Sequence, residues 1–139
     1  MTSGGSVLYT AKTQTTGGRE NGVARSADGY FKIRFSTPGT GWIGASPEQL
    51  LAAGWSASFE SAIALAANNR KISPPTHIAI DAEVDLNCLE NVFFLSIRLN
   101  VYLPGIERHV AEALAQEARQ ICPFSKATKG NIDVMINLF

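Results

Sequence analysis

Charge is scarce in this sequence. Only 17% of its 139 residues are Asp, Glu, Lys or Arg, whereas 45% are hydrophobic. A small monomer keeps much of its chain at the surface, so this shortage of charge implies that part of the surface is covered by a second subunit. Neither sign is in excess, because twelve basic residues balance twelve acidic ones. That excludes the basic field that holds nucleic acid and any acidic tail. Cysteine is confined to Cys88 and Cys122, and histidine to His77 and His109. None of them falls in C-x-x-C or H-x-x-x-H spacing, so no metal site is expected. No apolar run reaches membrane-spanning length without a charge, and no membrane partner is expected. The N-terminal "MTSGGSVLYT" lacks the charged-then-apolar order of a signal peptide. A cytoplasmic location follows, and there the two cysteines read as thiols before they read as a structural bridge. Internal repeats and low-complexity tracts are missing too, and the length fits a single domain over 1–139.

What is present is a run of well-punctuated elements. Residues 7–16, "VLYTAKTQTT", are β-branched and aromatic and predict a strand, with "GGRENG" as a turn after it. "VARSADGYFKIRF" predicts a hairpin in which Asp28-Gly29 forms a tight type I′ turn. A loop over 36–46 follows, with Pro38 and three glycines. Ser46 as N-cap, Pro47 at the first helical position and Gln49 closing a capping box predict a helix that runs to about Asn69. That segment is apolar nearly all round, so burial on every side is expected. Two alternating strands are predicted next. The first, 77–86, puts Ile78, Ile80, Ala82, Val84 and Leu86 on one face. The second, 92–103, does the same with Phe93, Leu95, Ile97, Leu99, Val101 and Leu103. Their short link makes them an antiparallel pair. Pro104-Gly105 opens an amphipathic helix over 106–121, with Val110, Leu114 and Ile121 inward; Cys122-Pro123 closes it, and "NIDVMINLF" ends the chain as a strand. The order βββ-α-ββ-α-β means α+β with mostly antiparallel sheets packed on a buried central helix.

Two motifs suggest chemistry and fail on context. "GTGWIG" (39–44) matches the dinucleotide fingerprint G-x-G-x-x-G. In the working motif the third glycine lies inside the helix and the strand before it belongs to a βαβ unit. Here the helix starts after the last glycine and the strand belongs to a hairpin. "GWSAS" (54–58) is one residue short of the nucleophile elbow G-x-S-x-G, since Ser58 stands where its last glycine should be. A hydrolase also needs a base, and neither His77 nor His109 has an acidic residue obviously placed to orient it. Taken singly, Arg19 reads as a solvated loop arginine, Glu48 as an acid that complements a helix dipole, and Cys122 as a buried helix-end cysteine.

Taken together, "TGGREN" (16–21), "PEQLLAAGWSASF" (47–59), "VYLPGIER" (101–108) and "ICPFSKATKGNIDV" (121–134) resemble the organic hydroperoxide resistance proteins of the OsmC/Ohr superfamily. The blocks occur in order over nearly the whole chain. The glycine before Trp55 and the "KATKGN" segment favour this branch over the osmotically induced one. The resemblance implies an intertwined homodimer and a thiol peroxidase acting on alkyl and lipid hydroperoxides. It implies no bound cofactor; dihydrolipoamide or a lipoylated protein is the reductant. In the family a peroxidatic cysteine, in A-A-G-[YW]-x-A-C-F, becomes a sulfenic acid and then a disulfide with a resolving cysteine. Residue by residue, the peroxidatic position is Ser58 and the resolving cysteine is Cys122. Arg19 and Glu48 match the pair that polarises thiolate and peroxide. Such a role is chemically reasonable, because a thiol attacks as thiolate and a guanidinium beside it lowers its pKa. Leu50, Trp55 and Phe59 are candidates for the apolar walls of a substrate pocket. Cys88 matches no family site residue.

Ser58 is the departure. A hydroxyl has no thiol-like pKa and cannot form a sulfenic acid, so no peroxidase turnover is expected from this chain. A Cys→Ser substitution made to hold a reduced-like state accounts for this, as does an inactive natural relative; retention of the other site residues favours the substitution. The alternative from another class is a non-catalytic protein that binds apolar peroxides or lipoyl groups. A weaker third is a hydrolase using Ser58. One geometric expectation follows. On a straight helix Glu48 and Ser58 stand about 15 Å apart along the axis and point different ways. If one arginine is to serve both, the helix has to break, and Gly54 is its weakest position.

Overall fold

The computed structural model describes residues 5–139; residues 1–4, the start of the stretch that lacks a signal-peptide pattern, lie outside them. The chain forms two compact units, one ending at Pro47 and one starting at Glu48.

In the first unit, β1 (Gln14–Thr16), β2 (Val23–Arg25) and β3 (Lys32–Arg34) make an antiparallel sheet in that order. The strand expected over 7–16 is therefore only its last three residues. Val7, Leu8 and Tyr9 are exposed and make no ladder, and β propensity without a partner leaves the backbone unpaired. The expected turn at 17–22 contains a helical turn, α1 (Gly18–Asn21). It is entered through Gly17 and Gly18, both at positive φ, where a side chain is strained. The β2–β3 hairpin forms as expected, but not through a type I′ turn, because of Asp28 and Gly29 only the glycine has positive φ. Its loop is held instead by side-chain bonding: Ser26 Oγ (2.5 Å) and the Tyr30 N–H (3.0 Å) both donate to the Asp28 carboxylate. Asp28 thereby acts as an Asx-type loop residue.

The second unit is built on α2 (Pro47–Asn69). The helix begins where Ser46 and Pro47 predict. It ends in a Schellman motif: Lys71 takes φ 57° and the Ile72 N–H bonds back to the Ala67 carbonyl at 2.9 Å. Its buried residues are Trp55, Phe59, Ala62, Ile63, Ala66 and Ala67, a single stripe. The expectation of burial on all sides is thus corrected, and Leu65 on another face is half exposed. By length and composition alone α2 could cross a membrane, yet its stripe is the centre of the protein core.

A β-hairpin and two helices close over that stripe. β4 (Ala79–Leu89) and β5 (Val92–Tyr102) pair antiparallel. Glu90 and Asn91 between them both take positive φ, so the type I′ turn expected at Asp28-Gly29 occurs here. The predicted inward faces hold at the end of the hairpin nearer α3, where Ile78, Ile80, Ala82 and Val84 meet the core and Ile97, Leu99, Val101 and Leu103 are buried. They fail at the other end, where Leu86, Phe93 and their neighbours Leu89, Val92 and Phe94 are exposed. Then come α3 (Arg108–Ile121), α4 (Pro123–Thr128) and β6 (Asp133–Leu138). β6 adds to β5 in parallel, which needs the crossover that α3 and α4 provide. The architecture is α+β, with two small sheets and a central helix.

Ion pairs secure the edges. Glu117 of α3 accepts bonds from Asn69 Nδ2 (3.1 Å) and Arg70 Nε (3.0 Å) at the end of α2. The Asn69 bond first, and Arg70 second, hold its carboxyl below the usual range. A depressed folded-state pKa stabilises above the unfolded value, and that contribution disappears as pH falls through the folded one. Glu117→Gln is expected to lower the melting temperature slightly at neutral pH. The gap to the parent should close as pH falls below about 4, which thermal melts across a pH series will measure.

Candidate functional site

Cys122 is fixed by backbone before its thiol does anything. It caps the end of α3, its N–H bonding to the Ala118 carbonyl at 2.8 Å. It also opens α4, its carbonyl accepting the Lys126 N–H at 3.0 Å. Pro123 occupies the first turn of α4, where a missing N–H costs nothing. The Cys122 side chain is completely buried. Its Sγ lies 3.6 Å from the Oγ of Ser58, which is half-buried on α2. Residues 64 positions apart are thus brought side chain to side chain.

Trp55, one turn before Ser58, has no accessible surface. Its ring stacks on Phe124 with centroids 6.1 Å apart, and its indole N–H reaches Ser125 Oγ at 3.4 Å. Phe59 is equally buried and Leu50 is half-buried. In this conformation a molecule at Ser58 meets neither Trp55 nor Phe59, which support the site from inside the core. Phe124 and Ser125 were not anticipated because α4 was not; the signal was Pro123, a helix-starting residue as much as a stop.

The break predicted at Gly54 is absent, for α2 is continuous from Pro47 to Asn69. Glycine costs a helix only about 1 kcal/mol relative to alanine, and the stripe of core residues on either side of it far exceeds that. Glu48, in the first turn of α2, therefore stays about 15 Å along the axis from Ser58. A Cβ added at Gly54 would meet Phe124 Cζ at 3.6 Å, ordinary contact. Gly54→Ala is therefore expected to stabilise the protein by about 0.5–1 kcal/mol, measurable by urea denaturation. Arg19 lies on α1 of the first unit.

The rejected motifs stay rejected on geometry. The strand before "GTGWIG" pairs antiparallel with β2, and Arg34 lies over the Trp42 ring at 5.0 Å, a cation–π contact that spends the loop on packing. His109 is largely exposed and faces Glu107. Cys88 is exposed on β4. A feature that sequence patterning missed is the face of β4–β5 away from the core, where Arg98 holds Asp85 through two bonds (2.6 and 3.0 Å) and Glu83 through one (2.8 Å). The pairing with Arg98 keeps the Asp85 carboxyl below its usual range.

Residues 38–137 match the family described as OsmC-like protein. The chain belongs to the OsmC/Ohr family. It is 39% identical to the organic hydroperoxide resistance protein of Xanthomonas axonopodis pv. citri, over 99% of both chains. To the organic hydroperoxide resistance protein OhrA of Bacillus subtilis it is 34% identical, over 94% of this chain and 96% of that one. Among solved structures it resembles the organic hydroperoxide resistance protein OhrB of Bacillus subtilis, with a TM-score of 0.89 and 35% identity, covering 96% of this chain and 100% of that one. An organic hydroperoxide resistance protein from Legionella pneumophila superposes with a TM-score of 0.88 at 38% identity, covering 96% and 98%. OsmC/Ohr membership thus extends over nearly the whole chain.

Proposed function

We propose that this OsmC/Ohr chain is a peroxide-detoxifying scaffold for organic hydroperoxides, with Ser58 at the peroxidatic position and Cys122 as the resolving thiol. The names of its relatives support a role against organic hydroperoxides. The observation that carries the residue assignment is the 3.6 Å approach of Cys122 Sγ to Ser58 Oγ. With cysteine at 58, the thiolate attacks the outer peroxide oxygen and the O–O bond breaks. The alkoxide leaves as alcohol after taking a proton, and the sulfur becomes a sulfenic acid. The Cys122 thiol then attacks that sulfur and releases water, giving a disulfide that dihydrolipoamide, free or on a lipoylated protein, reduces. With serine at 58 none of these steps begins. The chain as it stands then binds without turnover, and Ser58 itself favours the second reading, a non-catalytic binder of apolar peroxides or lipoyl groups.

Arg19 and Glu48 take the polarising roles, and Leu50 contributes to the apolar wall. The working form is a homodimer. The exposed apolar residues Leu86, Leu89, Val92, Phe93 and Phe94 on the β4–β5 hairpin support a covered surface. Because the continuous α2 keeps Glu48 about 15 Å along the axis from Ser58, the Glu48 that serves Ser58 comes from a second copy. The test is consumption of cumene hydroperoxide with dihydrolipoamide by Ser58→Cys, the parent chain serving as the inactive control. In that background Arg19→Ala is expected to lower the rate about a hundredfold and to raise the pKa of the new thiol towards about 8.5. An unchanged rate and pKa would remove Arg19 from the mechanism.

A further inference from the structure

The "KATKGN" segment has a distinctive sequence but no part in the site at Ser58. Its lysines line a groove of about 370 Å³ formed by the end of α3, by α4 and by the start of β6. Arg119, Lys126 and Lys129 border this groove, and Asp133 is the one acid among its lining residues. The chain as a whole is neutral, so the surplus here is local. None of the three cations makes an ion pair with a described residue, whereas Arg70, Arg98 and Arg108 all do. Ser125 also lines the groove. Its oxygen accepts the Trp55 N–H, which leaves the hydroxyl proton to donate. The Thr128 hydroxyl, by contrast, already donates to the Phe124 and Ser125 carbonyls.

We propose that this groove binds a small phosphate-bearing anion, with Arg119, Lys126 and Lys129 neutralising it and Ser125 donating a hydrogen bond. Three cations against one carboxylate leave a surplus that matches the charge of about −1.5 to −2 on a phosphate monoester. A monocarboxylate leaves part of it uncompensated. Arg119 supplies a planar fork for two phosphate oxygens, and the lysines act as point charges. Bound phosphate reaches the core through Ser125, because the hydroxyl that donates to the anion is the one that holds Trp55. Phosphate binding here does not depend on whether Ser58→Cys is active.

The test is a titration of the isotope-labelled full chain, followed by two-dimensional proton–nitrogen spectra at low ionic strength, where surface charge is least screened. The probes are inorganic phosphate and glycerol 3-phosphate, with sodium chloride at matched ionic strength as control. Saturable shifts are expected at the amides of 119–133 and at the Trp55 indole N–H. Equal affinities assign the site to free phosphate, and tighter binding of the ester assigns it to a phosphorylated small molecule. Lys126→Gln with Lys129→Gln should weaken binding at least tenfold. Lys32→Gln, on the exposed β3, should leave it unchanged. Shifts reproduced by chloride, shifts that do not saturate, or an unweakened double variant would overturn the proposal. Both lysines are exposed, so the spectrum of the double variant also reports that the fold is intact.

Discussion

Ser58→Cys is expected to turn an inert chain into an alkyl hydroperoxide reductase. The parent has no group at 58 that can be oxidised, so its thiol-dependent consumption of cumene or tert-butyl hydroperoxide should be indistinguishable from the buffer rate. In the variant each turnover needs two events, thiolate attack on the peroxide and closure onto Cys122. Closure is prearranged, because the two side-chain ends are 3.6 Å apart and a disulfide requires about 2.05 Å between sulfurs. One equivalent of peroxide should therefore yield an intramolecular disulfide, visible as the loss of two thiols by mass spectrometry. Ser58→Cys with Cys122→Ser should stop at the sulfenic acid, which dimedone traps. If Ser58→Cys forms no disulfide and consumes no hydroperoxide, the peroxidatic assignment of position 58 is wrong. If the parent itself hydrolyses esters and Ser58→Ala abolishes this, Ser58 is a nucleophile in its own right.

The largest loss of stability is expected from Trp55→Ala. The indole is fully buried, stacks on Phe124 and bonds Ser125. Its removal opens a cavity beneath α4 and costs about 3–5 kcal/mol, a large share of the roughly 5–15 kcal/mol that holds a domain together. A thiol assay separates loss of the whole fold from local loosening. Cys88 is exposed and Cys122 buried, so the native parent should react quickly at one cysteine and slowly at the other. In the Trp55→Ala protein, below its melting temperature, Cys122 should become reactive because the wedge that seats α4 is gone. A variant with parent-like stability and a protected Cys122 would show that Trp55 is not a support of the site.

Much of the fold was legible because periodicity is local. The alternation of Ile78, Ile80, Ala82 and Val84, and of Ile97, Leu99 and Val101, named the inner face of β4–β5 correctly, and Ser46-Pro47 set the start of α2. The errors arise where local preference meets a missing partner. Residues 7–13 have strand composition but no strand partner among the described residues. Leu86 and Phe93 continue the inward alternation past the end of the core, because a strand's pattern does not say how far its covering helix reaches. The type I′ turn formed at Glu90-Asn91 instead of Asp28-Gly29, since the strands flanking it pair right up to the turn while Asp28 found Ser26 and Tyr30 as closer partners.

The site divides the same way. Family blocks in the sequence nominated Arg19, Glu48, Ser58 and Cys122 as candidates, because residue types and short spacings are written along the chain. Composition alone set the shortage of charge. That Ser58 and Cys122 touch depended on how α3 and α4 end and begin over the middle of α2, a separation of 64 residues closed by packing. The unbroken α2 was likewise a tertiary outcome. The propensity of Gly54 is worth about 1 kcal/mol. Burying Trp55, Phe59 and Ile63 in one stripe is worth several times that, so core packing overrode the glycine and kept the helix whole.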